Sequence, residues 1–255
     1  MSAGSASISG WRRSLRRGLD AIAPSVVDTA LAETTAWMPD RRAKYCSRCG
    51  ATLGTGGTNR TARSDGKHDR EACGLCRGRS VPWRDVTRLS AYGDPLSGWI
   101  RAMKFQNRFV WAGWLGERLG EAMADHAWAD DAEVWVTGVP MPWRRRWWRG
   151  YNQAERMGRA LAEVRGWRYA ELLKRTRCPP PQTQVAPSYR AANVSASFVA
   201  EDVDLAGVRV VLVDDVLTSG ATLRGCVRAL QERGVGDISV AVAAVADPKA
   251  EAVGS

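Results

Sequence analysis

Two sets of side chains in this 255-residue chain have the types and spacing to do chemistry. The first is Asp214-Asp215 followed by Thr218-Ser219-Gly220-Ala221-Thr222. Residues 210–213 before it, Val-Val-Leu-Val, form a wholly apolar run of the kind found in buried parallel strands. After it, Leu223, Val227 and Leu230 recur at helical spacing and the pattern stops at Gly234. The expected order is strand, acid pair, small hydroxyl-rich turn, helix start. In open α/β sheets, ligands sit beyond the carboxyl ends of strands. The free N–H groups and dipole at a helix start attract anions. Ser219, Gly220 and Ala221 are small enough to let backbone approach a phosphate, and Thr218, Ser219 and Thr222 add hydroxyl donors. An acid pair in direct contact would repel that phosphate. Its oxygens suit sugar hydroxyls instead, or Mg²⁺ held through water. A helix cap accounts for one Asp, but for neither the second nor the hydroxyl run. No Gly-Lys-Ser/Thr follows, so this is not a P-loop.

The second set is Cys46-x-x-Cys49 and Cys73-x-x-Cys76. Thiolates two residues apart can close on one metal, and two such pairs make the tetrahedral sulfur set of structural Zn²⁺. The expectation is a closed zinc ribbon. The segment between the pairs, residues 50–72, is slightly longer than usual and rich in Gly, Thr and Arg. His68 within it is a less suitable ligand. A third cluster, residues 143–149, carries four Arg and three Trp and reads as a loop. Arg binds phosphates bidentately and Trp offers stacking faces. A pyrophosphate clamp, a platform for single-stranded nucleic acid, and a solvated surface with packed tryptophans all fit it. Arg149 and Lys174 are the best-placed basic residues for a pyrophosphate, whereas Lys104 reads as a surface lysine.

The elements needed to position these groups follow along the chain. Strands are expected at residues 84–92, 133–139, 167–174, near Phe198, at 210–213 and at 238–246. Helices are expected from Asp94-Pro95 to Phe105, over 109–128, over 152–165 with Asn152 as N-cap, and over 219–233. Trp111, Trp114, Leu115, Leu119 and Met123 form an apolar stripe that suits core packing. Alternating strands and helices imply an α/β fold with a mostly parallel sheet flanked by helices. Three segments are expected: a basic, partly disordered stretch at 1–40, the zinc ribbon at 41–82, and the α/β domain at 83–250.

Net charge is +10, unevenly spread. Residues 141–178 hold eleven Lys/Arg against three Glu, while residues 195–255 hold five against nine acids. A basic middle region suits pyrophosphate, nucleotide or nucleic acid. Six cysteines, four of them paired for metal, point to a reducing cytoplasm rather than a disulfide scaffold. No stretch has the pattern of a signal peptide or the roughly 20 apolar residues of a membrane span.

The run of apolar strand, Asp214-Asp215, two residues and Thr218-Ser219-Gly220-Ala221-Thr222 resembles the phosphoribosyl-pyrophosphate (PRPP) loop of type I phosphoribosyltransferases. The wider pattern resembles the competence protein F family. It comprises the double CxxC, the block from Tyr92 to Lys104-Phe105, and Val139-Pro140 followed by Arg149-Gly150-Tyr151-Asn152-Gln153-Ala154. It continues through Leu172-Leu173-Lys174-Arg175, Gln182 or Gln184, Arg190, Asn193 and Phe198 to the acid pair. That resemblance implies a type I phosphoribosyltransferase-like core with an N-terminal zinc ribbon, and a link to natural transformation, the uptake of DNA as a single strand. An enzyme reading has the 218–222 turn hold a 5-phosphate, Asp214 and Asp215 the ribose hydroxyls, and Mg²⁺ with Arg149 and Lys174 the pyrophosphate. A non-catalytic reading has the Arg/Trp cluster and the ribbon hold single-stranded DNA or a DNA-uptake protein.

Overall fold

The computed structural model describes residues 37–53, 73–124, 126, 133–176 and 197–246. Residues 1–36 of the basic N-terminal stretch, the insert containing His68, and Gln182, Gln184, Arg190 and Asn193 lie outside the described residues. The chain divides into two units, Met1–Met38 and Pro39–Ser255. The second holds every element described below.

Five strands form one parallel sheet. They are β1 (Val86–Ala91), β2 (Val134–Gly138), β3 (Arg168–Tyr169), β6 (Arg209–Leu217) and β7 (Asp237–Val245), in spatial order β1-β7-β6-β2-β3. β4 (Leu173–Arg175) and β5 (Phe198–Ala200) make a separate antiparallel pair. β6 and β7 are buried almost throughout because both faces of the sheet are covered. The chain leaves β2 outward to β3 and leaves β6 in the opposite direction to β7. The winding therefore reverses between β2 and β6, and a crevice opens beyond their carboxyl ends. The acid pair stands at that place.

Helices α1 (Leu96–Phe105), α2 (Val110–Ala122), α3 (Trp143–Arg149), α4 (Gln153–Arg165) and α5 (Ala221–Gln231) connect the strands. Asn152 caps α4 as expected: its side chain accepts from the Ala154 amide at 3.1 Å and donates to the Val139 carbonyl at 3.0 Å. That second bond ties the helix start to the end of β2. α2 lies against α4 at glycine distance, since a Cβ on Gly116 would collide with the Met157 carbonyl oxygen. The apolar stripe is core: Leu115, Leu119 and Met123 are fully buried, and Trp111 stacks on Trp99 at 4.9 Å with Trp114 edge-on to both.

Three local expectations are corrected. The strand expected over 167–174 is two strands in different sheets. The Ala170 amide still bonds to Val136, but the Leu172 amide turns to the Thr137 hydroxyl, which takes the chain off the sheet edge. The Arg/Trp cluster is the helix α3, not a loop. The strand before the phosphate-type turn runs on to Leu217, so Asp214 and Asp215 lie within β6, paired with β7.

Candidate functional site

Strand geometry decides where the two carboxylates go. Successive side chains of a strand point to opposite faces. Asp214 shares a face with Val210 and Leu212, and Asp215 shares the other with Val211 and Val213. Asp215 is buried, and its oxygens accept from the Gln153 side-chain nitrogen at 2.7 Å and from Lys104 Nζ at 2.9 Å. Gln153 opens α4 and Lys104 lies near the end of α1. Asp214 is half-buried, and its carboxylate accepts the Asp215 amide at 2.8 Å. Burial, followed by the charge of Asp215, pushes Asp214 up to about 7.

The turn that follows Asp215 runs over residues 218–222. Gly220 adopts φ +74° at the start of α5, a left-handed conformation that a side chain resists. A Cβ there would also stand 3.2 Å from Trp83. Thr218 and Ser219 are exposed, and Ala221 and Thr222 are partly so. Among the described residues, the amides of Ser219, Gly220 and Thr222 meet no protein acceptor, and that of Ala221 has only a 3.5 Å contact to the Ser219 hydroxyl. Arg224 donates to the Ser219 carbonyl at 2.7 Å and so places a cation beside the turn.

Arg149 is brought to the acid pair and Lys174 is not. Arg149 reaches the Gln153 side-chain oxygen at 3.5 Å, which links it through Gln153 to Asp215. Desolvation and then the nearby Arg145 lower its pKa, and its buried Nε has no hydrogen-bond partner. Lys174 is exposed on the β4–β5 hairpin and held by Glu201 at 2.7 Å. The lysine at the acid pair is Lys104, which had read as a surface residue. Gln153 was visible only as part of the Arg-Gly-Tyr-Asn-Gln-Ala block, and nothing in that block says which carboxylate it meets. A cleft of about 300 Å³ opens beside Lys104, lined by Phe105, Trp147, Trp148, Arg149 and Tyr151 among others.

The four cysteines converge. Their sulfurs all lie within 4.8 Å of one another, with Cys46–Cys76 and Cys73–Cys76 at 3.8 Å and Cys49–Cys73 at 3.5 Å. Zinc–sulfur bonds of about 2.3 Å in a tetrahedron separate the sulfurs by about 3.8 Å, so the quartet fits structural Zn²⁺ with no open position. Among the described residues it is the one group of three or more His, Cys, Asp or Glu so arranged. The acid pair by itself makes no cation cage.

The cysteine cluster sits directly on the sheet. Buried Arg88 of β1 donates to the Gly50 carbonyl and, at 3.0 Å each, to Asp40 and Thr52. Trp83 joins this cluster to the turn. Its indole N–H donates to the Arg48 carbonyl at 2.9 Å, between two of the cysteines, while the far edge of its ring lies under Gly220. No spacing in the sequence pointed to that link.

Residues 154–253 match the family described as the phosphoribosyl transferase domain. The chain is 27% identical over 203 residues to DNA utilization protein YhgH of Salmonella typhi, covering 78% of this chain and 83% of that protein. It is 28% identical over 204 residues to competence protein F of Haemophilus influenzae, covering 77% and 82%. Among solved structures, the glutamine PRPP amidotransferase of B. subtilis overlays 51% of this chain and 25% of its own, with 26% identity and a TM-score of 0.36. No helix among the described residues is long and apolar enough to cross a membrane. Over about three quarters of its length the chain is thus similar to the competence protein F and YhgH proteins, and its residues 154–253 match a phosphoribosyl transferase domain.

Proposed function

We propose that this chain binds a phosphorylated ribose, PRPP or a ribose 5-phosphate group, at the turn between β6 and α5, and does so in the service of DNA utilisation or competence. The observation that carries the reading is the turn itself. It joins unmatched amides and three hydroxyls to an acid pair at the point where the sheet winding reverses. The 5-phosphate is assigned to the backbone and hydroxyls of residues 218–222. The ribose hydroxyls are assigned to Asp214 and Asp215, since a carboxylate bonded to Gln153 and Lys104 keeps lone pairs for further donors. Lys104 and Arg149 are the cations assigned to the pyrophosphate of PRPP, whose own oxygens would supply most of the shell of an accompanying Mg²⁺. Lys174 has no part in this assignment while Glu201 holds it.

If the ligand is PRPP, the same arrangement supports phosphoribosyl transfer. As the bond from the sugar carbon to pyrophosphate breaks, positive charge grows at that carbon, and the neighbouring carboxylates stabilise it. The test is calorimetry with Mg-PRPP and with ribose 5-phosphate on the parent chain, Asp215→Asn and Gly220→Val. Both substitutions are expected to abolish measurable binding in protein that still melts cooperatively. Unchanged affinity in folded Asp215→Asn overturns the assignment of the acid pair.

A further inference from the structure

Trp83 lies between the cysteine cluster and β1 and is 3% exposed. Part of its role is to fill space, in an apolar cluster with Val86, Leu217 and Leu223. Its polar edge has a different one. A buried indole N–H needs an acceptor, and Trp83 takes the Arg48 carbonyl at 2.9 Å. The Ser47 carbonyl beside it accepts from the Val86 amide at 2.7 Å. Both carbonyls between Cys46 and Cys49 therefore hold the segment that runs into β1. The Arg48 side chain donates to the Arg79 carbonyl at 2.9 Å, just beyond Cys76, so both cysteine pairs bear on one residue.

The opposite edge of the indole meets the turn over residues 218–222. A Cβ on Gly220 would stand 3.1 Å from Arg224 Nη1, 3.2 Å from Trp83 Cη2 and 3.4 Å from Leu217 Cδ1. Three side chains thus close the underside of the left-handed residue that starts α5. They differ in firmness. Arg224 is exposed and its long side chain can swing. Trp83 is a flat, buried ring pinned at its far edge by a hydrogen bond. Apolar packing is non-directional, whereas that bond fixes the tilt of the ring to the direction of the Arg48 carbonyl. The carbonyl in turn has one direction only while Cys46 and Cys49 are held on the same ion. Cysteine pair, carbonyl, indole and Gly220 form one continuous chain of contacts.

We propose that Trp83 is a positioning residue that couples the ribbon to the turn, so that zinc on the four cysteines and a phosphorylated ribose on residues 218–222 each tighten the binding of the other. The ligand of this coupling is the one assigned above, so the proposal rests on the phosphoribose reading. Coupling between two sites is reciprocal. One neutral hydrogen bond carries it here, which sets the mutual effect on the order of fivefold.

Two measurements on the full chain test it. The first needs no ligand: hydrogen exchange is followed by mass spectrometry on zinc-loaded and chelator-treated protein. Exchange across residues 217–224 is expected to quicken about fivefold when zinc is removed, while exchange across α4 stays unchanged. Equal exchange across the turn with and without zinc overturns the coupling. A rise of the same size in α4 also overturns it, because the ribbon would then be a general staple. The second measures zinc affinity by chelator competition, with and without saturating ribose 5-phosphate. The sugar phosphate is expected to raise the parent's zinc affinity about fivefold. Trp83→Phe keeps an aromatic ring and loses the N–H. It is expected to hold about one zinc per chain and to show no change in zinc affinity with ribose 5-phosphate. A residue that only fills the core would weaken both affinities and leave their mutual effect intact, so a persisting fivefold effect in Trp83→Phe overturns the role given to Trp83. Failure of ribose 5-phosphate to bind the parent sinks the phosphoribose reading instead, and the exchange measurement then decides the coupling alone.

Discussion

Asp214→Asn makes the cost of the acid pair measurable. Asp214 rises from 3.8 to about 7 because burial and the Asp215 charge oppose its ionisation. The native state therefore holds a proton between those values that the unfolded chain has released. The stability contributed by this group is fully present below about 4 and is lost as pH rises through about 7. At 1.36 kcal/mol for each tenfold change in proton affinity, the rise from 3.8 to about 7 sets an upper bound of about 4 kcal/mol. Asp214 keeps some access to water, which reduces the expected cost to about 1–3 kcal/mol. Asn keeps the oxygen that accepts the Asp215 amide but never ionises. Urea unfolding of both proteins at pH 5, 6, 7 and 8 should show the variant gaining on the parent as pH rises, by about 1–2 kcal/mol across the series, since about a third of the change lies below pH 5. The same variant should bind ribose 5-phosphate far less well, because Asn leaves no charged acceptor for the sugar hydroxyls on that face. A stability difference that stays flat or narrows with rising pH would refute the reasoning, because the carboxylate would then be at no electrostatic disadvantage. A gain in stability with loss of binding would mark Asp214 as a residue kept for function at the expense of folding.

Three further outcomes are expected. Cys49→Ser should reduce zinc from about one per chain and lower the melting temperature; because Trp83 ties the Arg48 carbonyl to the underside of Gly220, it should also weaken ribose 5-phosphate binding in calorimetry. Gly116→Val should destabilise the protein by about 3 kcal/mol in urea unfolding, since its Cβ would meet the Met157 carbonyl and force α2 from α4; Gly113→Ala on the same helix has open space and should be neutral or slightly stabilising. Arg88→Leu should cost about 2–4 kcal/mol by chemical denaturation, because the Gly50 carbonyl, Thr52 and the Asp40 carboxylate lose their shared donor.

What could be read from the sequence was whatever is written within one turn or one strand. The apolar run before Asp214, the small hydroxyl residues after Asp215, the Asn152 cap and the paired CxxC spacing each act over a few residues, so each leaves a local pattern. The parallel α/β class followed from the alternation of such patterns. Elements failed where neighbours override propensity: Thr137 draws the Leu172 amide off the sheet edge and breaks one expected strand in two, and pairing with β7 carries β6 past its acid pair. The site's cast was decided by tertiary structure alone. Lys104, Gln153 and Asp215 meet because α1, α4 and β6 converge at the reversal of the sheet, and Gln153 and Asp215 are 62 residues apart with no periodicity to link them. The pleat sends Asp214 and Asp215 to opposite faces, so two residues alike in sequence meet different surroundings. Arg149 turns inward while Trp147 and Trp148 remain outside, and Lys174 is drawn away to Glu201. Local patterning can name the groups that do chemistry, but only the packing of distant elements fixes which of them face one another, because that choice is made by contacts whose partners are far apart along the chain.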